Sequence, residues 1–231
     1  VMLIPRPEDS LHKAWLYRIL LEIADDPFLG TVLCFKGGTC AAMLGYLNRF
    51  SVDLDFDFVG DVSKVSDVRS GLEKHFQELD LEIKDFSKQG IQYFLRYKAP
   101  FNKRNTIKID VSFPVPKNNK YGPFYISDID RTMRCQTIET MFANKLVSVL
   151  DRFEKHHSIA GRDLYDIHQF FLQGFRYEEA VIEERRGVPV KIFLQNLIAF
   201  IKKNFTETII NQDLNVLLTD AEFKKIRKTL I

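Results

Sequence analysis

Cysteine is scarce in this sequence, and its scarcity excludes one class of protein. The 231 residues contain three cysteines, Cys34, Cys40 and Cys135, an odd number with no metal-ligand spacing. This pattern argues against a disulfide-stapled secreted domain and against a cysteine-based zinc site. It predicts buried free thiols in a reducing cytoplasm.

Long apolar runs and an excess of one charge are also absent. No run approaches the length that spans a bilayer, and the opening stretch VMLIPRPEDS lacks the apolar core of a signal peptide. We therefore expect a soluble cytoplasmic protein without a membrane partner. The formal net charge is only +2, so no global basic field announces nucleic-acid binding.

Two familiar kinds of catalytic motif are missing. The five histidines form no H-x-x-x-H or HExxH pair, and the one glycine pair is neither a Walker A loop nor G-x-G-x-x-G. Composition is nevertheless that of a folded domain, since 45% of the residues are hydrophobic and 28% are charged.

Periodicity divides the chain into two halves. The first alternates helices with strands: a helix in SLHKAWLYRILLEIADDP with Ser10 as its N-cap, then TVLCF, a short helix TCAAMLGYL, VDLDFDFV, a helix SKVSDVRSGLEKHFQEL, and the strands LEIKDF, IQYFLRY and TIKIDVSF. Strand signals fade after the loop PVPKNNKYGP. The second half predicts helices only, at 137–153, 162–173, 177–185, 190–204 and about 212–229.

Carboxylates line up on one predicted strand. Asp53, Asp55 and Asp57 occupy alternate positions in VDLDFDFV, so they would share one face of a sheet. The strand IKIDVSF would bring Asp110 to the same face if it pairs alongside. Such a group suits Mg²⁺, which takes oxygen ligands and shares them with substrate phosphates, and two such ions clamp a phosphoryl transfer. For Asp57 alone, simple exposure on a solvated face is the preferred interpretation.

A glycine turn precedes this strand. In KGGT, residues 36–39, glycines would let backbone N–H groups approach a phosphate, and the following helix would favour the anion. A GGT turn alone is a weak signal for phosphate binding, but a GGT turn followed by one short helix and a D-x-D strand is a stronger one.

Two predicted helices each carry an unusual charge. Lys145 falls at the centre of an apolar arc that includes Ile138, Phe142 and Val149, and Asp163 points into the apolar arc of the next helix. Snorkelling of the lysine and capping by the aspartate are the plain alternatives. We expect instead that the two side chains approach within about 4 to 6 Å, the range over which opposite charges stabilise one another. A methionine at position 145 would suit the arc and leave the fold intact.

These motifs together resemble one family. KGGT, NRFSVDLDF, IKIDVSF, NKLVSVLDR and GRDLYDI are similar, in this order, to the AbiEii/AbiGii toxin family of the DNA polymerase β-like nucleotidyltransferase superfamily. The resemblance implies an α+β fold: a mixed or antiparallel palm-like sheet with flanking helices over residues 1–130, then a helical domain over 131–231 that completes the active-site cleft.

The resemblance also implies the site. Asp53, Asp55 and Asp110 would hold Mg²⁺, and the catalytic set would add Lys145 and Asp163. Nucleotide binding would fall to Lys36, Gly37, Gly38, Thr39 and Lys145. Asp166 would support them, and Arg152 and Arg162 are candidate phosphate or acceptor contacts.

The implied activity is transfer of a nucleotidyl group from an NTP to an acceptor, with tRNA or another RNA as a possible acceptor and a cognate antitoxin as a possible partner. Two alternatives stay open at this point. One is a non-catalytic nucleotide- or partner-binding protein on the same fold, and the other is a nucleotidyltransferase of small molecules.

Overall fold

The structure is a computed structural model that describes residues 2, 4, 6–226 and 230. Its strands are β1 (Leu33–Lys36), β2 (Leu54–Phe58), β3 (Glu82–Phe86), β4 (Ile91–Arg96), β5 (Thr106–Ser112), β6 (Tyr121–Ile126) and β7 (Arg131–Gln136). Its helices are α1 (Asp9–Asp25), α2 (Leu29–Val32), α3 (Gly37–Met43), α4 (Val65–Glu78), α5 (Ile138–His156), α6 (Gly161–Leu172), α7 (Glu179–Arg186), α8 (Val190–Asn204), α9 (Glu207–Leu214) and α10 (Asp220–Ile226).

The strands form one open sheet in the order β3-β4-β5-β2-β1-β7-β6. Its centre is mixed, because β2 runs parallel to β5 and β1 runs parallel to β7, while the other neighbours are antiparallel. The predicted class, a mixed or antiparallel sheet with flanking helices, is therefore confirmed.

Alternation along the central strands gives the sheet one apolar and one polar face. Phe35 pairs with Phe56 across β1 and β2, and their rings lie 5.4 Å apart between centroids. Ile109 is fully buried on the neighbouring β5. The other face carries the charged side chains of the same three strands.

The chain separates into two compact units. The first comprises Val1–Gly45, Phe50–Val115 and Tyr121–Gln136, and it contains the whole sheet with α1 to α4. The second comprises Tyr46–Arg49, Pro116–Lys120 and Thr137–Ile231, and its described helices are α5 to α10.

The sheet is larger than the sequence predicted. Strand signals were expected to fade after PVPKNNKYGP, but β6 and β7 follow as an antiparallel pair at one side of the sheet. β6 carries Gly122 and Pro123, residues that weaken a strand signal and that an edge strand tolerates. β7 exposes Arg131, Thr132 and Arg134, so its sequence lacks a clear apolar alternation.

Two local predictions in the first half of the chain were also wrong. Ser10 lies inside α1, where its hydroxyl donates to the carbonyl of Pro7, and the helix begins after Glu8 instead. Thr31 and Val32 belong to α2 rather than to the predicted strand TVLCF.

The helix predicted at about 212–229 is interrupted. α9 begins earlier, with Thr206 as its N-cap, and ends at Leu214, and α10 begins at Asp220. The Thr219 hydroxyl accepts from the Glu222 N–H, which explains the second start. Residues 227–229 of that prediction lie outside the described residues.

The structure also bears on the cysteines and on the long apolar runs. Cys34, Cys40 and Cys135 are free and buried, as predicted. Within the described part of the chain, we find no helix with the length and hydropathy of a membrane span.

Candidate active site

Carboxylates from two adjacent strands meet on the polar face of the sheet. Asp55 on β2 pairs in register with Asp110 on β5, so their side chains lie side by side on one face. Lys36 on β1 and Gln92 on β4 extend the same row on either side. Asp53 lies one residue before β2 begins, rather than on the strand.

The electrostatics of Asp55 show how closely these acids interact. Burial, together with the charges of Asp53 and Asp110, raises the pKa of Asp55 to about 6 against the opposing effects of Lys36 and Lys108. Three carboxylates whose charges oppose one another are a fitting set of oxygen ligands for a divalent cation.

Asp110 is oriented by two neighbours. The Lys108 ammonium lies 2.6 Å from its carboxylate, and the Gln92 side-chain amide donates to it at 2.9 Å. Its side chain is 30% exposed, so the carboxylate remains reachable from solvent.

The glycine turn lies against the carboxylate row. Gly37 begins α3 with φ +77°, and a Cβ placed there would fall 2.3 Å from Oδ2 of Asp55. Only glycine suits this position, because any side chain would both strain the backbone and displace the carboxylate. The glycine turn and the Asp55 carboxylate are therefore direct neighbours.

Thr39 and Lys36 are occupied within the first unit. The buried Thr39 hydroxyl donates to the carbonyl of Asp53 and also bonds to Ser51 at 2.8 Å. It therefore fixes the approach to the D-x-D strand. Lys36 Nζ lies 2.6 Å from Oδ1 of Asp57 and 2.8 Å from the hydroxyl of Ser112.

Asp57 is a correction to the sequence interpretation. It was expected on a solvated face, but it is only 1% exposed. Besides Lys36, it accepts hydrogen bonds from the Gln136 amide at 2.6 Å and the Tyr121 hydroxyl at 2.8 Å. The donors come from β1, β6 and β7, and two of these strands were missed in the sequence. Asp57 is therefore a buried anchor of the sheet.

The second unit contains its own charged cluster. Lys145 Nζ lies 3.1 Å from Oδ1 of Asp163 and 3.0 Å from Oδ2 of Asp166. The expected approach of Lys145 and Asp163 is thus present. Arg152 also binds Asp163, at 2.9 Å. Asp163 lies in the first turn of α6, yet its carboxylate serves these ion pairs, and α6 has no side-chain N-cap.

Arg49 is the member of this cluster that the sequence analysis missed. It belongs to NRFS, and its guanidinium binds both oxygens of Asp166, at 2.5 and 2.8 Å. Asp166 is fully buried and Arg49 is 3% exposed. The two residues are 117 positions apart, so periodicity could not pair them. The sequence signal that could have paired them is that Arg49 lies in the motif NRFSVDLDF and Asp166 in the motif GRDLYDI, both of which contribute to the same family resemblance.

Ion pairing keeps the cluster charged. Burial alone would raise the pKa of Asp163, but Lys145 and Arg152 outweigh it and hold that pKa at about 2. Burial would likewise lower the pKa of Lys145, but Asp163 and Asp166 raise it. The Lys145 ammonium is therefore a fixed positive charge, with 18% of its side chain exposed.

Solved structures with similar folds define the class. A putative nucleotidyltransferase from Helicobacter pylori is 24% identical with a TM-score of 0.55, and the match covers 97% of this chain and 95% of that one. The nucleotidyltransferase toxin MenT4 from Mycobacterium tuberculosis is 16% identical with a TM-score of 0.53, covering 96% and 84%. The fold is therefore that of nucleotidyltransferases.

The family is shown by the sequence itself. Residues 18–230 match the family described as nucleotidyl transferase AbiEii toxin of type IV toxin–antitoxin systems. The chain belongs to this AbiEii nucleotidyltransferase toxin family, which confirms the resemblance seen in its motifs. Among curated proteins, no sequence matches the chain.

Proposed function

We propose that this chain is a Mg²⁺-dependent enzyme that transfers a nucleotidyl group from an NTP to an acceptor. The observation that carries the proposal is the register of Asp55 and Asp110 on one polar face, with Asp53 close enough to raise the pKa of Asp55. Carboxylates that repel one another in the free protein become favourable when a cation is shared among them.

Asp53, Asp55 and Asp110 are the residues that would hold the metal. When bound, Mg²⁺ would neutralise phosphate charge and stabilise the attacking and leaving oxygens of the displacement. Lys108 and Gln92 orient Asp110 for this role. Lys36 anchors the buried Asp57 and lowers the pKa of Asp55, so we assign it a positioning role next to the nucleotide.

The turn at Gly37, Gly38 and Thr39 would receive the phosphates through backbone N–H groups. Support comes from the contact between Gly37 and Asp55, which brings the turn next to the proposed metal ligands. Thr39 would act through its backbone, because its hydroxyl already holds Asp53.

We also assign Lys145 to nucleotide binding, with Asp163 as the residue that positions it. A lysine held charged by two buried carboxylates, with part of its side chain exposed, suits a phosphate contact. Arg152 shares Asp163 with Lys145 and is a second candidate for the same contact.

The biological role follows from the family. We propose that the chain acts as the toxin of a toxin–antitoxin pair in the cytoplasm, that RNA such as tRNA is its acceptor, and that a cognate antitoxin restrains it. Type IV toxin membership and similarity to a mycobacterial nucleotidyltransferase toxin support this proposal. Exposed Lys155, His156 and His157 offer a local surface for an RNA backbone.

The test is transfer of label from each of the four α-labelled NTPs to total RNA, with and without Mg²⁺. We expect Mg²⁺-dependent labelling by the wild type and none by Asp55→Asn or Asp110→Asn. Asp67→Asn, which alters an exposed carboxylate on α4, is the matched control and should behave as wild type.

Other outcomes would identify the alternatives. NTP binding measured by calorimetry without any transfer would indicate a non-catalytic nucleotide-binding protein. Labelling of small hydroxyl compounds but not of RNA would indicate a small-molecule nucleotidyltransferase.

A further inference from the structure

A second group of ligand atoms lies in the first unit, at the end of α1 and the last turn of α4. One atom each from Glu22, His75 and Glu78 lies within 4.8 Å of the other two. His75 and Glu78 are three positions apart on α4, and Glu22 comes from α1. None of these residues takes part in the proposed transfer reaction.

Asp26 determines which ring nitrogen of His75 carries a proton. The Asp26 carboxylate accepts at Oδ1 from the N–H groups of Phe28 and Leu29, both at 2.8 Å. A carboxylate held by two N–H donors acts as an acceptor, so His75 Nε2, which lies 2.8 Å from Oδ2 of Asp26, is the donor of this pair.

Nδ1 of His75 is then left facing two carboxylates. It lies 3.2 Å from Oε2 of Glu78 and 3.6 Å from Oε2 of Glu22. The atom is buried, and it makes no hydrogen bond with any residue that the structure describes. In neutral imidazole it carries a lone pair, which repels both carboxylates unless a cation or a second proton lies between them.

The spacing suits a small cation. Tetrahedral zinc with bonds of about 2.0 to 2.1 Å separates its ligand atoms by about 3.4 Å, close to the two distances from Nδ1. A histidine that binds metal through one nitrogen almost always donates the other N–H to a carboxylate or carbonyl, and Asp26 supplies that carboxylate.

We propose that Glu22, His75 Nδ1 and Glu78 form a binding site for a divalent transition metal of the zinc class. Imidazole favours such ions over Mg²⁺, which separates this site from the carboxylates of the sheet. The Glu22 and Glu78 side chains are 41% and 51% exposed, so solvent can supply the remaining ligand from the open side. The bound ion would link the C-terminal end of α1 to the last turn of α4.

The test is calorimetric titration of Zn²⁺ into the Asp55→Asn protein in excess Mg²⁺, so that the sheet carboxylates do not contribute. We expect one zinc per chain and a higher melting temperature with zinc than without. Glu22→Gln and Glu78→Gln should each weaken zinc binding by about tenfold or more. Both residues are partly exposed, so both variants should fold, and Asp67→Asn on the same helix is the unchanged control.

Asp26→Asn gives a sharper test. An asparagine amide at this place donates to Nε2 and moves the imidazole proton to Nδ1, so zinc affinity should fall roughly 10- to 100-fold. Failure of the Asp55→Asn protein to bind zinc, or zinc affinity that Glu22→Gln, Glu78→Gln and Asp26→Asn leave unchanged, would overturn the site.

Discussion

The Asp55 carboxylate is both buried and close to other carboxylates, and both conditions disfavour its charged form. It lies beside Asp110 and near Asp53, and burial with these charges raises its pKa to about 6. An acid whose pKa is higher in the folded state than in the unfolded state stabilises the fold below the unfolded value of 3.8. That stabilisation is lost as the pH rises through about 6.

This predicts a specific effect of Asp55→Asn. The variant should match the wild type in stability near pH 4 and exceed it at pH 7.5 by up to about 3 kcal/mol in metal-free buffer, the free energy that corresponds to a pKa raised from 3.8 to about 6. Thermal melts at both pH values check this. A variant that melts many degrees below the wild type at pH 7.5 would mean that Asp55 is structural.

The ion pair between Lys36 and the buried Asp57 should contribute to the stability of the fold. Lys36→Met leaves the buried Asp57 with its Gln136 and Tyr121 donors but removes the Lys36 ammonium from the ion pair. Removing one partner of a buried ion pair costs about 3 to 5 kcal/mol, and denaturant unfolding should show a loss near the lower end because two donors remain.

Lys108→Met is the matched control on the same face. The Lys108–Asp110 pair is about a third exposed on both sides, so its loss should cost no more than about 1 kcal/mol. Equal losses in the two variants would contradict the anchoring role of Asp57.

At the scale of elements, the charged cluster joins α5 to α6. The sequence suggested that methionine at position 145 would leave the fold intact, but Lys145 is paired with two buried carboxylates. We therefore expect Lys145→Met to lower the free energy of unfolding by about 3 kcal/mol or more, and to weaken NTP binding more than tenfold in the protein that remains folded.

The controls separate folding from binding. Lys155→Met changes an exposed lysine on the same helix and should alter neither quantity. Adding Asp163→Asn to Lys145→Met removes a buried charge that has lost one of its two cationic partners, since only Arg152 still pairs with it, so part of the lost stability should return without the lost affinity. Calorimetry below the melting temperature measures the affinity, and an unchanged value for Lys145→Met would remove Lys145 from the site.

The elements also show what the sequence could predict. Local patterns were sufficient for the strand that carries Asp55, for the β5 strand that carries Asp110, and for the helices that carry Lys145 and Asp163. They failed for β6 and β7, whose polar and glycine–proline character fits an edge but hides a strand. The buried state of Asp57 depends on β6 and β7, so it could not be predicted either. Alternation says which face a side chain takes, but not what covers that face.

Ion pairs between residues far apart in the sequence are the other part of the site that could not be predicted. Lys145 and Asp163 lie 18 positions apart on consecutive helices, and their unusual places in apolar arcs were enough to pair them. Arg49 reaches Asp166 across 117 positions. No spacing rule connects such residues, and only the folded chain brings them together.

At the scale of the whole molecule, the net charge of +2 constrains how an RNA acceptor would bind. A protein without a broad basic field gains little non-specific affinity from counterion release. Recognition of an RNA would therefore depend on a few local cations, and turnover would depend on the carboxylates proposed to hold Mg²⁺. If the proposed function is correct, toxicity should depend on Asp55 and Asp110 rather than on RNA binding in general.

Growth on induced expression in a bacterial host is the measurement that checks this. The wild type should arrest growth, Asp55→Asn and Asp110→Asn should not, and Asp67→Asn should arrest growth as the wild type does, at equal protein levels on immunoblots. Both inactive variants keep the fold, because each removes charge from a row of repelling acids instead of breaking a buried ion pair. Arrest by Asp55→Asn at wild-type strength would show that toxicity does not require nucleotidyl transfer, and it would leave the chain as a binding protein on a nucleotidyltransferase fold.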